Sequence, residues 1–292
     1  MSFFSQKRVF ISGGSKGIGR EAALLLAAEG AHVGIGARGE AALADTLAAM
    51  RSRARPEQRL ITVNMDVHQT ESVNAAAVQC VAQLGGLDVL VCNAGAAEAG
   101  PVLEVDDGMF LRMMELNYLG HVRCVRAFAP HLVAAGRGDV CLVTSLAAVT
   151  GFWGYGAYGA SKAAIVQMAE ALRMELKPAG VRVEVFYPPT TETPGFAHET
   201  LTKPELLHVV ESESAFNAAH SAEEVGRALL RAIAGGRFYN LPTWDCKLQS
   251  FIVRHAPGLY HYLADDELRK GAARVTALKA QGIDPKAPKK PR

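Results

Sequence analysis

The sequence has few residues arranged to hold a metal ion or a disulfide framework. Its five cysteines include no C-x-x-C pair, and none of its nine histidines stands four residues from another. Isolated cysteines inside apolar stretches are typical of buried free thiols in a reducing compartment. We therefore expect free thiols and no bound metal.

Long apolar runs and an excess of charge of one sign are also missing. No stretch approaches the roughly 18 uncharged apolar residues of a membrane span, and the N-terminal segment lacks the features of a signal peptide. The formal net charge is +2 over 292 residues, which gives no reason to expect a nucleic-acid partner. With 49% hydrophobic and 21% charged residues, the composition is that of a globular, cytoplasmic protein with a large core.

Short apolar segments alternate with helical patterns over the first two thirds of the chain. The segments are continuously apolar, as in a parallel sheet covered by helices on both faces. The expected strands are Arg8–Ser12, His32–Ala37, Leu60–Met65, Val89–Asn93, Val140–Ser145 and Val181–Tyr187. The expected helices are Ile18–Glu29, Glu40–Ala54, Thr70–Leu84, a region around Met109–His131, and Tyr155–Leu176. Repeated βα units of this length predict a single α/β domain with a doubly wound, Rossmann-like parallel sheet and a helical C-terminal extension.

The pattern changes after Pro188. We expect a catalytic domain over residues 1–243 that includes a substrate loop at 188–217, then a helical extension at 244–282 and a basic, flexible tail at 283–292. The expected elements here are helices and loops over Pro194–Asn217, a helix over Ala222–Ala234, a strand over Phe238–Leu241, and helices over Trp244–His255 and Asp265–Lys279.

The expected helical region Trp244–Leu263 mixes apolar and basic side chains. Its apolar members are Trp244, Leu248, Phe251, Ile252, Tyr260 and Tyr262. Core packing or a subunit contact is the preferred use of these side chains. Peripheral membrane contact, helped by the basic tail, is the alternative.

A glycine-rich turn joins the first expected strand to the first helix. In the run from Ser12 to Gly19, SGGSKGIG, glycines let the backbone approach a pyrophosphate whose charge is met by the helix N-terminus. Glycine also serves ordinary tight turns, but the strand-to-helix context favours nucleotide binding. Arg38 at the tip of the second strand and Lys16 in the turn, with no carboxylate at that tip, favour NADPH over NADH. A solvated surface position is the alternative for Arg38.

Polar side chains that could perform catalysis follow two strands and open a helix. Tyr158 and Lys162 stand four residues apart, which places them on one helical face. A free phenol titrates near about 10, and a nearby ammonium would lower the pKa of Tyr158 toward neutrality. Ser145 ends the fifth expected strand, Asn117 lies in the preceding helix, and Asn93-Ala94-Gly95 ends the fourth. Because ligands bind at the carboxyl ends of strands in such sheets, these residues should meet in one crevice.

Together these residues resemble the short-chain dehydrogenase/reductase family over residues 7–240. The resemblance implies a catalytic tetrad of Asn117, Ser145, Tyr158 and Lys162. In it Tyr158 protonates a carbonyl oxygen as hydride arrives from the nicotinamide, and Ser145 holds that oxygen. Lys162 binds the nicotinamide ribose and lowers the pKa of Tyr158, and Asn117 anchors a water of the proton relay. The resemblance further implies a homodimer or homotetramer.

The cofactor contacts combine those of the glycine-rich turn with those that the resemblance implies. They are Gly13, Ser15, Lys16, Gly17, Ile18, Gly19, Arg38, Asp66, Val67, Asn93, Ala94, Gly95, Tyr158, Lys162, Pro188, Thr191 and Thr193.

The segment after the sixth expected strand narrows the resemblance. The run YPPTTETPGF from Tyr187 to Phe196, followed by Glu199 and Thr202-Lys203-Pro204, is similar to the 3-ketodihydrosphingosine reductases, where an acidic residue often replaces Thr190. Pro189 departs from the wider family's Pro-Gly and lacks a backbone donor. The resemblance implies NADPH-dependent reduction of a long-chain keto lipid.

Apolar side chains near the expected site could line an acyl channel for such a lipid. They are Phe152, Trp153, Phe196, Leu201, Leu206, Leu207 and Val210. Two other functions stay open. One is reduction of another ketone, such as a 3-oxoacyl thioester, a steroid or a xenobiotic. The other is a nucleotide-sensing regulator on the same fold, which would need the glycine-rich turn but not Tyr158 with Lys162.

Overall fold

A computed structural model describes residues 2–214 and 219–287. The strands are β1 Arg8–Ser12, β2 His32–Ala37, β3 Leu60–Asn64, β4 Val89–Cys92, β5 Gly138–Val143, β6 Val181–Phe186, β7 Thr191–Glu192, β8 His220–Ser221 and β9 Tyr239–Asn240. The helices are α1 Gly17–Ala28, α2 Glu40–Arg51, α3 Thr70–Leu84, α4 Asp107–Met113, α5 Gly120–Ala135, α6 Gly156–Leu176, α7 Pro194–Thr202, α8 Glu205–Glu213, α9 Ala222–Gly235, α10 Trp244–His255 and α11 Pro257–Ala280.

Seven strands form one parallel sheet in the order β3-β2-β1-β4-β5-β6-β9. The order reverses beside β1, where Ile11 pairs with Ile35 of β2 on one side and with Val91 of β4 on the other. This reversal opens a crevice at the carboxyl ends of β1 and β4. The predicted doubly wound, Rossmann-like fold is confirmed.

Two apolar cores cover the two faces of the sheet. Successive residues of a strand point to opposite faces, so Phe10 belongs to one core while Val9 and Ile11 belong to the other. Phe10 stacks on Phe128 of α5 at 4.1 Å between ring centroids, in the core shared with α3 and α6. The opposite core is closed by α1, α2 and α9. Burial on both faces explains why the strands read as continuous apolar runs.

The helical region predicted around Met109–His131 contains a local change of winding. A π-helical turn over Met114–Leu119 separates α4 from α5. Such a turn inserts an extra residue into the helix and is frequent at functional sites. Here it contains the fully buried Asn117.

The C-terminal part is helical as predicted, with one large shift in a boundary. The helix expected from Asp265 begins eight residues earlier at Pro257, a residue suited to the first helical turn. Its Gly271 lies against α8, because a Cβ there would be 2.5 Å from Val210 and 3.2 Å from Leu206. Within the described ranges, no helix combines the length and the apolar character needed to cross a bilayer.

The burial of individual side chains confirms one expectation and corrects another. All five cysteines are free and buried, as predicted. Core packing is wrong for Trp244, Phe251 and Tyr262, which are 71%, 61% and 70% exposed, because α10 and the start of α11 lie at the surface. Residues 215–217 of the predicted substrate loop and 288–292 of the predicted tail lie outside the described residues.

Candidate active site

The turn between β1 and α1 lies directly against the loop that follows β4. Gly13 and Gly17 have positive φ angles of 68° and 56°, which side chains rarely tolerate. A Cβ on Gly13 would also lie 2.8 Å from the Ala94 Cα, and one on Gly19 would lie 2.6 Å from Asn93 Nδ2. The glycines therefore permit both the turn and its close contact with the neighbouring loop.

Hydrogen bonds fix this contact. Asn93 Nδ2 donates to the carbonyls of Ser12 and Gly13 at 3.1 and 3.2 Å. The Ser12 hydroxyl accepts from the backbone N–H groups of Asn93 and Ala94 at 2.9 and 3.1 Å. The carboxyl ends of β1 and β4 are thus held together by side-chain hydrogen bonds.

The N-terminus of α1 fits an anionic group. Among the described residues, no side chain caps its first turn, which contains no acidic residue. Free first-turn N–H groups and the positive end of the helix form a favourable site for phosphate. Lys16 and Arg38 are exposed at the same place and add two positive charges.

A single cavity of about 1610 Å³ connects the predicted site residues. Every predicted cofactor contact lines it except Gly19, which lies behind the turn against Asn93. Ser145, Tyr158 and Lys162 line it as well, whereas Asn117 lies behind its wall. Across the described ranges, no three side chains of histidine, cysteine, aspartate or glutamate gather as a metal ligand set.

Asp66 and Val67 line the cavity just after β3. The Asp66 carboxylate accepts from the backbone N–H and the ring Nδ1 of His68, at 3.0 and 2.8 Å. Burial alone would raise the pKa of Asp66, but these hydrogen bonds outweigh it and lower that pKa. Asp66 is therefore held ionised in a fixed orientation at this end.

The segment after β6 contacts the glycine-rich turn that precedes α1 and leads into α7. The Thr193 hydroxyl accepts from the Phe196 N–H at 3.1 Å and caps α7. Its methyl group lies against Gly17, where a Cβ would be 3.0 Å away. The Thr191 hydroxyl donates to the Pro189 carbonyl at 2.7 Å, which keeps the diproline turn closed.

Asn117 joins the loop after β4 to the start of α6. Its Oδ1 accepts from the Ala96 N–H at 3.1 Å, and its Nδ2 donates to the Ala96 carbonyl and to Ser161 Oγ, both at 3.0 Å. The Ser161 hydroxyl donates to the Tyr158 carbonyl at 2.7 Å. Asn117 therefore positions the turn that carries Tyr158, and its role in a proton relay stays a prediction.

Lys162 is buried beside Tyr158 without a carboxylate partner in the described chain. It is 4% exposed, and its Nζ donates to the Val143 carbonyl at 3.3 Å and lies 5.9 Å from the centroid of the Tyr158 ring. The Thr144 hydroxyl holds the Lys162 carbonyl at 2.8 Å. Burial lowers the pKa of Lys162 to about 8. The two side chains share one face of α6, as their spacing predicts.

The state of Tyr158 corrects one prediction. Its pKa is raised to about 12, first by burial and further by the negative charge of Glu199, against the opposing effect of a hydrogen bond with Ser145. The predicted lowering of this pKa by Lys162 is wrong, because burial dominates and the Lys162 ammonium is directed to the Val143 carbonyl. Tyr158 is thus held protonated, the state that a proton donor requires.

A charged cluster next to Tyr158 was not foreseen as a unit. The Tyr155 hydroxyl, which has one proton to donate, lies within hydrogen-bond distance of Glu199 and, at 2.9 Å, of Glu211. Lys203 forms ion pairs with both carboxylates. In the sequence only the family resemblance singles out Glu199 and Lys203, although their i, i+4 spacing also signals a pair. No spacing links them to Tyr155, which directly precedes α6, or to Glu211 on α8.

An apolar wall and several charged side chains share the far end of the cavity. Of the seven side chains expected to line an acyl channel, five line this cavity, namely Phe152, Trp153, Phe196, Leu207 and Val210. The prediction is wrong for Leu201, which is 76% exposed, and for Leu206, which packs against Gly271 instead. Leu248, Ile252 and Leu263 of the C-terminal helices extend this wall. Asp265, Asp266, Glu267 and Lys270 add charged groups to the same lining, and the acyl channel itself stays a prediction.

A switch-point crevice with a glycine turn, a helix N-terminus and a Tyr–Lys pair defines a nucleotide-dependent oxidoreductase of the doubly wound class. The sequence profile of the short chain dehydrogenase family matches residues 7–204. The chain belongs to this family, whose members use a nicotinamide cofactor to act on CH–OH or C=O groups.

Individual proteins are similar over most of the chain. A 3-dehydrosphinganine reductase of Danio rerio is 35% identical over 232 residues, covering 79% of this chain and 69% of that protein. A 3-ketodihydrosphingosine reductase of Bos taurus is also 35% identical over 232 residues, with the same coverage of both chains. The crystal structure of levodione reductase superposes with a TM-score of 0.73 at 21% identity, over 79% of this chain and 91% of that one, and supports the fold.

Proposed function

We propose that this protein reduces the ketone of 3-ketodihydrosphingosine to the alcohol dihydrosphingosine with NADPH. The observation that carries the proposal is the 35% identity, over 79% of the chain, to reductases named for that substrate. The geometry agrees with it, because one cavity joins a phosphate-binding turn, a protonated tyrosine and an apolar wall.

The cofactor end supports NADPH rather than NADH. Arg38 directly follows β2, and with Lys16 it would pair with a 2′-phosphate. The first turn of α1 would hold the pyrophosphate, and Asp66 and Val67 would contact the adenine. When bound, the nicotinamide supplies a hydride to the carbonyl carbon.

The residues of α6 and β5 handle the proton. Tyr158 would transfer its hydroxyl proton to the carbonyl oxygen, and Ser145 would donate a hydrogen bond to that oxygen as negative charge develops on it. The Lys162 ammonium would bind the ribose hydroxyls and stabilise the phenolate left on Tyr158. One hydride on carbon and one proton on oxygen complete the alcohol.

The volume and the apolar wall support a long-chain substrate. A typical small-molecule pocket has about 300–1,000 Å³, and this cavity of about 1610 Å³ has room for a second ligand beside a dinucleotide. Leu207, Val210, Ile252 and Leu263 form a surface against which an alkyl chain would be removed from water.

A ketone panel tests the proposal. NADPH oxidation would be followed with 3-ketodihydrosphingosine and, in parallel, with an acetoacetyl thioester. We expect kcat/KM at least about tenfold higher for the sphingoid ketone, since the thioester lacks an alkyl chain to fill the apolar end. An equal or higher value for the thioester would place the enzyme among reductases of other ketones.

A further inference from the structure

The wall of the substrate end contains a group of four side chains, Tyr155, Glu199, Lys203 and Glu211, here called the carboxylate cluster. Tyr155, Glu199 and Glu211 line the cavity. The ring of Tyr155 lies 5.7 Å from that of Tyr158 between centroids. The cluster is therefore next to the proton donor.

The charges within the carboxylate cluster do not balance. Lys203 is 1% exposed and its ammonium lies between Glu199, at 3.5 Å, and Glu211. Two carboxylates against one ammonium leave one negative charge when all are ionised. His208 does not compensate it, because burial and the charge of Lys203 lower the pKa of this imidazole and keep it neutral. Each carboxylate has Lys203 and Tyr155 as partners, but the cluster as a whole keeps a net negative charge beside the cavity, so the wall is suited to a cationic ligand.

We propose that the carboxylate cluster binds the ammonium group of an amino ketone, so that the enzyme selects ketones that carry a protonated amine on the adjacent carbon. The inference rests on the proposed function, since a 3-keto sphingoid base carries an amine next to its ketone.

The position of the cluster matches the chemistry of such a substrate. An amine on the adjacent carbon is two bonds from the carbonyl carbon, so its binding group must lie beside the proton donor. Glu199 does, because it accepts a hydrogen bond from Tyr155, whose ring lies 5.7 Å from that of Tyr158 between centroids. The negative charge of Glu199 also adds to the effect of burial in raising the pKa of Tyr158. An ammonium bound there would cancel this effect and ease proton transfer. The apolar wall cannot perform this selection, since it does not distinguish an amine from a methylene by hydrogen bonding.

The Tyr155 hydroxyl gives the cluster a fixed geometry. Its oxygen lies within hydrogen-bond distance of both Glu199 and Glu211, and its single proton is donated to one carboxylate at a time, which keeps the carboxylates of α7 and α8 together at the cavity wall. Each carboxylate has about four lone-pair sites, which is more than Tyr155 and Lys203 can occupy. An ammonium, with three donors, is a matching partner.

The test compares two ketones of equal chain length, 3-ketodihydrosphingosine and its 2-deamino analogue. The kcat/KM values with NADPH give a preference ratio for each enzyme form. We expect a ratio above about ten for the wild type, and a fall of about tenfold to a hundredfold in Glu199→Gln and Glu211→Gln, the range for hydrogen bonds to charged groups.

Glu213→Gln is the matched control on α8. Glu213 stands two residues after Glu211, but it does not line the cavity and pairs with Arg274 at 3.5 Å near the surface. Its substitution should leave the preference ratio unchanged. An equal fall in Glu213→Gln would show a general electrostatic effect and overturn the assignment.

A second measurement on the wild type needs no variant to fold. Dihydrosphingosine should inhibit at least about tenfold more strongly than the 1,3-diol of the same chain length that lacks the amine. Equal inhibition, or an unchanged ratio in well-folded Glu199→Gln, overturns the inference while active reduction of the amino ketone leaves the proposed function standing. A wild type that prefers the acetoacetyl thioester would instead remove the proposed function itself.

Discussion

The two ends of the cavity differ in what builds them. The cofactor end is formed by main chain: the turn after β1 contacts the loop after β4 through glycines and the Asn93 amide. The substrate end is formed by side chains of α6, α7 and α8, held by ion pairs and the Tyr155 hydroxyl. The first arrangement suits a cofactor with fixed phosphates, and the second leaves specificity to a few replaceable side chains.

The cavity is bordered by two buried lysines, and the two have opposite surroundings. Lys162 has only a backbone carbonyl as its hydrogen-bond acceptor in the described chain, and burial lowers its pKa to about 8. Lys203 lies between Glu199 and Glu211. An ammonium without a countercharge costs stability and is kept for chemistry, whereas one between two carboxylates holds a structure together.

The largest expected effect is the loss of Tyr158, the proposed proton donor. In Tyr158→Phe, reduction should fall by about a thousandfold, within the range for general acid catalysis. NADPH affinity should be kept, because the glycine turn, Lys16 and Arg38 are untouched. Single-turnover rates and fluorescence titration of NADPH would measure both. Unchanged turnover would refute the role of Tyr158.

The contrast between the two lysines can be broken by removing each amine. Lys203→Met leaves two carboxylates without their buried partner and should lower the free energy of unfolding by about 3 kcal/mol. Lys162→Met should not lower that free energy at pH 7. The native lysine is charged at this pH despite its burial, and the desolvation cost of the buried charge disappears when the amine is removed. Lys162→Met should also abolish most of the reduction. Urea unfolding monitored by circular dichroism would measure both variants.

Equal losses of unfolding free energy in Lys203→Met and Lys162→Met would show that the two lysines do not differ in their contribution to stability. Lys279→Met is the control for a general effect of removing a charge, because Lys279 pairs with Glu205 while 56% exposed. Exposed pairs contribute about 0–1 kcal/mol, so this variant should change the free energy of unfolding little.

The sheet and the glycine-rich turn could be predicted from sequence because their signals are local. Continuous apolar runs follow from burial on both faces, and the residues from Ser12 to Gly19 contain the whole glycine-rich turn. Tyr158 and Lys162 are likewise neighbours on one helix. What joins these segments is the common carboxyl edge of a parallel sheet, which the βα repeat alone implies.

The substrate end could not be predicted because its parts are distant in sequence. Tyr155 and Glu211 are 56 residues apart and meet only in the folded chain, where α8 approaches the residue that precedes α6. The raised pKa of Tyr158 has the same origin, since it depends on burial and on Glu199 rather than on the neighbouring Lys162. The π-helical turn at Asn117 has no recognisable residue pattern in the sequence.

Substitution of Arg38, the proposed binding residue for the 2′-phosphate, should change cofactor affinity and leave substrate preference unchanged. In Arg38→Asp, the dissociation constant for NADPH should rise about a hundredfold while that for NADH changes far less, because only NADPH has a 2′-phosphate to lose a cation and gain a repelling carboxylate. The ratio of kcat/KM between the amino ketone and its deamino analogue should not move. Equal losses for NADPH and NADH would show that Arg38 does not read the phosphate.

The smallest effect concerns the pH dependence that Lys162 confers. The pKa of Lys162 is lowered to about 8, so its ammonium is lost as the pH rises through that value, while Tyr158, with a pKa raised to about 12, stays protonated. For reduction, kcat/KM should therefore fall about tenfold per pH unit above pH 8. Lys162→Arg, whose guanidinium stays charged, should be slower but level over the same range. A wild-type profile that is level up to pH 10 would show that Lys162 does not need its proton for the reaction.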